Sequence, residues 1–223
     1  MKASNDDLQR DVQDAINWEP LLNAADIGVT AKDGVVTLTG TVDSYAKKLE
    51  AEDAAKSVKG VIAVIVKIDV KFGSDQEKKD DSEIADEIIK AAKGNWDIPK
   101  DKIKAKVENG WVTLSGEVDF YYQKEAVEDL VKNYSGVTGV TNNITIEESD
   151  DQVEEKDIEK ALRRNWFIDD SNIEVHVSNH DVTLTGSVES WFERDKAEQI
   201  AWNALGVWNV NNQLVVDYDY EMV

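Results

Sequence analysis

The chain contains no cysteine, and only two histidines and two prolines stand among its 223 residues. Without cysteine it has no disulfide, no zinc–thiolate site and no thiol nucleophile. The two histidines, His176 and His180, have no third ligand at a natural spacing that would complete a metal site. We expect both histidines to be exposed to solvent.

Long apolar runs are also absent. No stretch approaches the roughly 20 residues that a membrane-spanning helix needs, and the first 18 residues lack the apolar segment of a secretory signal. We therefore expect a cytoplasmic protein, or a periplasmic one if a leader peptide has been removed.

Positive charge is scarce: 25 lysines and arginines stand against 46 aspartates and glutamates, giving a net charge of −21. Such a surface repels phosphate polymers, which excludes general nucleic-acid binding, and it disfavours anionic membranes. We expect no detectable binding to anionic vesicles at physiological salt. The main effect of the charge is to keep the protein in solution.

Motifs that carry catalysis are missing as well. The sequence has no G-x-S-x-G elbow, no phosphate loop and no dinucleotide fingerprint. The acidic run at 147–151 lacks the alternating ligands around a glycine that calcium loops use. We expect no catalytic residue, no cofactor and no metal site, and hence a protein that is not an enzyme.

What the sequence does contain is a threefold repeat. GVVTLTGTV begins at Gly34, GWVTLSGEV at Gly110 and HDVTLTGSV at His180, at offsets of 76 and 70 residues. The same offsets relate two sets of glycines: Gly40, Gly116 and Gly186, and Gly60, Gly136 and Gly206. A unit of this size is a small domain. We predict three domains, at 1–72, 80–148 and 153–221, called here the first, second and third repeats, joined by acidic linkers.

Each repeat has the pattern of helix, strand, strand, helix, strand. A helical period opens the repeat, Asp33-Gly34 and Asn109-Gly110 are typical hairpin turns, and the quoted motif is the return strand. A helical crossover then leads to a last strand. The predicted fold is α+β, with three tandem αββαβ domains, each a three-stranded mixed sheet with two helices on one face.

The repeated glycines have two predicted roles. Gly40, Gly116 and Gly186 fall on the apolar face of the return strand, where glycine lets a helix pack closely. We therefore expect Gly116→Val to cost a few kcal/mol through overpacking against the helices. The second set, Gly60, Gly136 and Gly206, is predicted to end the second helix as left-handed C-caps.

The tryptophans are the most informative of the apolar residues that the predicted cores do not account for. Trp18, Trp96 and Trp166 follow the first helices and are predicted to be half-buried anchors. A second set, Trp111, Trp202 and Trp208, stands at positions predicted to face away from their own cores. We expect this second set to form a contact surface, with at least one indole buried between domains of a monomer.

The repeated motifs resemble those of the BON domain family. V-x-L-x-G-x-V occurs at 36–42, 112–118 and 182–188, and G-V-x-x-V at 60–64, 136–140 and 206–210. The resemblance implies a non-enzymatic module of bacterial stress and envelope proteins that binds phospholipid or another hydrophobic surface. With three tandem copies, the chain resembles the transport-associated and osmotically inducible members of the family. The alternative is a protein–protein interaction scaffold without a small ligand.

Overall fold

A computed structural model describes residues 4–72, 79–96, 98–99, 102–147, 153–165, 168 and 170–217. Trp166 and much of the predicted linkers, at 73–78 and 148–152, lie outside the described residues. The chain forms two compact units, one of Met1–Gly40, Glu50–Lys67 and Ser149–Val223 and the other of Thr41–Leu49 and Ile68–Glu148. The first repeat contributes to both units, and the predicted domain boundaries stay a prediction.

Two helices form in each repeat. They are α1 (Asn5–Trp18) and α2 (Tyr45–Ser57), α3 (Asp81–Gly94) and α4 (Tyr121–Lys132), and α5 (Glu155–Arg164) and α6 (Trp191–Trp202). Side-chain caps fix several of their starts: Ser4 accepts from the Asp7 amide, and Asp80 forms a capping box with Glu83. Such caps satisfy amides that have no partner within the helix.

Each repeat also supplies one sheet. The strands are β1 (Ile27–Lys32), β2 (Val35–Val42), β3 (Ala63–Val70), β4 (Ile103–Glu108), β5 (Trp111–Val118), β6 (Gly139–Ile146), β7 (Ile173–Ser178), β8 (Asp181–Val188), β9 (Asn209–Asn212) and β10 (Val215–Val216). β2, β5 and β8 lie at the centre of the three sheets. β4 and β7 pair antiparallel with the central strand, whereas β6, β9 and β10 pair parallel. The predicted α+β architecture is confirmed, with the last strand of the third repeat broken into β9 and β10.

The core of each sheet lies on the face that the helices cover. In the second repeat, Val112 and Leu114 of β5 alternate with less buried neighbours and share one buried cluster with Ile84 and Ile88 of α3 and Val127 of α4. The predicted hairpin turns are also confirmed, because Asp33 and Gly34, like Asn109 and Gly110, have positive φ angles.

The strand glycines are required for a different reason from the predicted one. Gly40, Gly116 and Gly186 have φ angles of 148°, 140° and 114°. A Cβ on Gly116 would overlap the carbonyl oxygen of Lys102, just before β4, and the other two glycines meet Asp26 and Asn172 in the same way. The space is therefore taken by the backbone of the neighbouring strand, and the prediction of close helix packing was wrong.

The close helix approach occurs at the second set of glycines. A Cβ on Gly60 would lie 3.3 Å from Cδ1 of Leu8 in α1, and one on Gly136 would lie 2.7 Å from Cδ1 of Ile84 in α3. The predicted left-handed conformation is confirmed by φ angles of 98°, 96° and 81° at Gly60, Gly136 and Gly206. These glycines follow the second helix by three or four residues, so they turn the chain after the helix has ended.

Candidate functional site

Two indoles protrude from the ends of the first helices. Trp18, the last residue of α1, is 86% exposed, and Trp96, two residues beyond α3, is 91% exposed. The prediction of half-buried anchors was therefore wrong for both. Residues this apolar are rarely left in water without a contact role.

An isoleucine provides the anchor instead of the tryptophan. Ile98 follows Trp96 by two residues, is 3% exposed and belongs to the core of the second repeat. Ile168 is buried in the third repeat in the same way. The amide of Ile98 donates to the carbonyl of Asn95 at 3.4 Å, which closes a turn with Trp96 at its tip. The turn thus buries Ile98 in the core and projects the indole of Trp96 into solvent.

A groove lies beside this turn in the second repeat. It encloses about 200 Å³ between α3, the segment at 98–99, β4 and α4. Its walls are mainly apolar, with Ile88, Ile89, Ala92, Ile98 and Ile103 among them, and Lys93 is the cation among the described residues that line it. Ile89 is 42% exposed and leaves apolar surface open to water. Trp96 lies in the turn between Lys93 and Ile98, two residues that line this groove.

The third repeat has a wider groove in a different place. About 440 Å³ lies between α5 and α6, lined by Ile158, Ala161, Arg164, Ile200 and Leu205 among others. Ala204 also lines it and stands where the second repeat has Tyr134, which packs against the core there. The smaller side chain of Ala204 leaves the space between the two helices open.

The surroundings of Trp96 carry positive charge although the chain as a whole is acidic. Residues 90–106 hold six lysines and two aspartates, a net charge of +4. Part of this charge is neutralised locally, because the Lys102 ammonium group lies 2.9 Å from Asp119 and 2.7 Å from Glu147. Hydrogen bonds to Glu147 and Asp119 raise the pKa of Lys102. Lys93 on the groove is the cation closest in sequence to Trp96.

Trp111, the first member of the predicted contact surface, lies on the outer face of its own sheet. It starts β5 opposite Gly139 of β6, and a Cβ on Gly139 would overlap the indole ring. Its Nε1 donates to Oγ1 of Thr141 at 2.9 Å. With 48% of its surface exposed, Trp111 covers a glycine and still presents an apolar edge to solvent.

The other two members are partly buried in the third repeat. Trp202 packs against the core cluster of that repeat, so the expectation that it faces away from its own core was wrong. Trp208 stacks on His180 with ring centroids 3.7 Å apart. The indole Nε1 of Trp208 is buried without a hydrogen-bond partner among the described residues. Burial of one of these indoles between repeats stays a prediction.

The histidines lie in unlike surroundings. His176 is exposed as predicted, with Nδ1 at 3.9 Å from Glu155. His180 is half-buried, contrary to prediction, because it stacks on Trp208 and its Nδ1 lies 2.8 Å from the carbonyl oxygen of Gly206. Within the described part of the chain, no group of three or more histidine or acidic side chains is arranged to hold a metal.

Some exposed aromatic residues were not identified in the sequence. Phe120 and Tyr122, at the start of α4, stack with ring centroids 5.7 Å apart, and both are more than two-fifths exposed. Phe192 occupies the position of Tyr122 in the third repeat and is also exposed. The signal was the aromatic residue that recurs near the start of each second helix. None of the helices in the described ranges has the length and apolar character needed to cross a bilayer.

Comparison with known proteins adds three findings. A family model described as BON domain matches residues 4–71, 80–148 and 150–218. The osmotically-inducible protein Y of Escherichia coli is 34% identical over 126 residues, which cover 55% of this chain and 63% of that protein. A solved structure of CdsD, a structural protein of the type III secretion system of Chlamydia trachomatis, is 19% identical with a TM-score of 0.26, covering 94% of this chain and 91% of that one.

Proposed function

The chain belongs to the BON domain family, and we propose that it is a non-enzymatic stress protein that binds phospholipid surfaces of low net charge. The likeness to an osmotically inducible protein supports the stress role. The observation that carries the binding proposal is the exposure of Trp18 and Trp96 at the tips of the first helices.

Indoles suit the boundary between water and lipid. Tryptophan is enriched there because its ring is apolar while its N–H keeps a polar contact. Trp18 is followed by Leu21, which is also exposed, so the end of α1 offers more than one apolar side chain. Inserting such side chains removes apolar surface from water at no cost to the core, since neither indole belongs to it.

The second repeat adds features that suit a phospholipid. Its groove has apolar walls that match an acyl chain, and Lys93 on the lining matches a phosphate. The first repeat lacks this charge, because residues 10–22 hold one arginine and three acidic residues. We therefore propose that Trp96 and its groove form the principal contact and that Trp18 adds apolar anchoring.

The net charge sets the preferred lipid. A chain with a net charge of −21 is repelled by an anionic surface, whereas a zwitterionic headgroup offers its phosphate without that long-range repulsion. Phosphatidylcholine is therefore expected to bind better than phosphatidylglycerol at physiological salt.

Flotation with vesicles tests this proposal. The native chain is expected to float with phosphatidylcholine vesicles, and Trp18→Ser/Trp96→Ser is expected to reduce the partition coefficient at least about tenfold, since each indole can bury on the order of 150–250 Å². Trp111→Ser is the matched control, because it removes an indole of the same repeat from the outer sheet face. It is expected to leave binding within about twofold of native.

Two results would contradict the proposal. One is binding by the double variant equal to that of the native chain, and the other is a loss of binding in Trp111→Ser as large as in the double variant. Stronger flotation with phosphatidylglycerol than with phosphatidylcholine would overturn the charge argument alone.

A protein interaction scaffold is the second candidate function. The observation that favours it is the exposed pair of Phe120 and Tyr122, which stack on each other at the start of α4. Paired aromatic side chains are common anchors of protein interfaces. A folded native chain that floats with neither vesicle type would favour this function over lipid binding.

A further inference from the structure

An aromatic residue begins the second helix of every repeat: Tyr45, Tyr121 and Trp191. In the unit that contains the second repeat, Tyr45 packs against the core cluster of that repeat although it belongs to the first. In the other unit, Trp191 of the third repeat contacts the first repeat. The same position is thus used twice for a contact between repeats.

The Trp191 indole contacts residues of both repeats. Its Nε1 donates to the carbonyl oxygen of Ile62 at 2.8 Å, just before β3. The amide of Ile62 in turn donates to the carbonyl oxygen of Gly34 at 2.7 Å, which fixes that segment on the hairpin turn of the first repeat. The guanidinium of Arg194, from the third repeat itself, lies over the Trp191 ring at 5.2 Å from its centroid. Arg194 itself donates to the carbonyl oxygen of Asn212 at 2.9 Å.

Oppositely charged side chains also join the first and third repeats. The first repeat contributes Lys56 and Lys59 from the end of α2 and beyond, and the third repeat contributes Glu189 and Asp195 from the start of α6. Lys59 forms an ion pair with Glu189, and the Lys56 ammonium group lies 3.9 Å from Asp195. Burial raises the pKa of the Asp195 carboxyl, with Lys56 and Arg194 opposing the rise. That direction agrees with a carboxylate that is partly removed from water.

We infer that the start of α6 is a docking surface for the first repeat, held closed at physiological salt by the Trp191 hydrogen bond and two ion pairs and released by rising ionic strength. The inference does not depend on lipid binding. Release would uncover the half-buried Trp191 indole.

The direction of the salt effect follows from distances. Both repeats are acidic overall, so their distributed charges repel, but these charges lie farther apart than the paired groups. The Debye length is about 8 Å at about 0.15 M salt and about 3 Å at about 1 M. Physiological salt therefore screens the distributed repulsion more than the pairs, whereas molar salt screens the pairs as well. Exposed ion pairs are weak individually, so losing both is expected to shift the docking equilibrium only by a modest factor.

Hydroxyl-radical footprinting of the native chain, read by peptide mass spectrometry, tests this inference. The oxidation rate of Trp191 is divided by that of Trp96, which is almost fully exposed and corrects for radical scavenging by salt. We expect the ratio to be low at about 0.15 M sodium chloride and to rise about threefold or more at about 1 M. Lys59→Glu is expected to give the high ratio already at the lower salt. The charge swap Lys59→Glu/Glu189→Lys is expected to restore the low ratio.

Three outcomes would overturn the inference. A ratio close to one at the lower salt would show that Trp191 is not docked. A low ratio that does not change at high salt would show that charge does not hold the contact. Failure of the charge swap to restore protection would show that Lys59 and Glu189 are not partners.

Discussion

Replacing Gly116 with valine is expected to unfold the second repeat or destabilise it by at least about 3 kcal/mol. The φ angle of 140° at Gly116 lies in a region that residues with a side chain rarely adopt. A Cβ would also overlap the carbonyl oxygen of Lys102. That oxygen belongs to the backbone just before β4, so it cannot move aside without disturbing the strand pairing that Gly116 makes with Ile103.

Native-state hydrogen exchange of the full chain measures this effect repeat by repeat. Protection is expected to fall across β5 and β6 in Gly116→Val and to stay unchanged in the third repeat. Gly94→Val is the matched control, because Gly94 ends α3 with nothing within 4 Å of an added Cβ. Valine and glycine differ by only a few tenths of a kcal/mol in helix propensity. Equal protection in both variants would show that the strand glycine is not required.

The element order could be predicted because it depends on periodicity and turn chemistry. The alternation of Val36 and Leu38 with threonines identified a strand with one buried face, and Asp33-Gly34 identified its turn. The role of the strand glycine could not be predicted in the same way. Sequence shows that Gly40 falls on the apolar face, but the carbonyl of Asp26 that occupies the space beside it is set by register and strand curvature.

The site was predicted less well because a tryptophan side chain can either be buried in the core or project into solvent. Asn95-Trp96-Asp97-Ile98 offers two large apolar residues for one place in the core, and the turn geometry selects Ile98. The contact of Trp191 with Ile62 joins residues 129 positions apart, and no local pattern encodes such a contact. Its sequence signal was the aromatic residue that recurs at the start of each second helix.

Ile98 and Trp96 are expected to differ in how much they stabilise the second repeat. Ile98→Ala is expected to lower the free energy of unfolding of the second repeat by about 2–4 kcal/mol, because it truncates a side chain that is 3% exposed and belongs to the core cluster. Trp96→Ala is expected to change that free energy by no more than about 0.5 kcal/mol, because its side chain is 91% exposed. Ile89→Ala, at a half-exposed position on the same groove, is the matched isoleucine control and is expected to cost less than Ile98→Ala.

Hydrogen exchange across β5 and β6 gives these free energies within the intact chain, and vesicle flotation of the same variants gives their binding. Trp96→Ala is expected to retain protection and lose affinity for phosphatidylcholine, whereas Ile98→Ala is expected to lose protection first. A loss of protection in Trp96→Ala as large as in Ile98→Ala would show that the indole is a core anchor. In that case its exposure could not support a role in binding, because a residue that stabilises the fold needs no ligand to account for its presence.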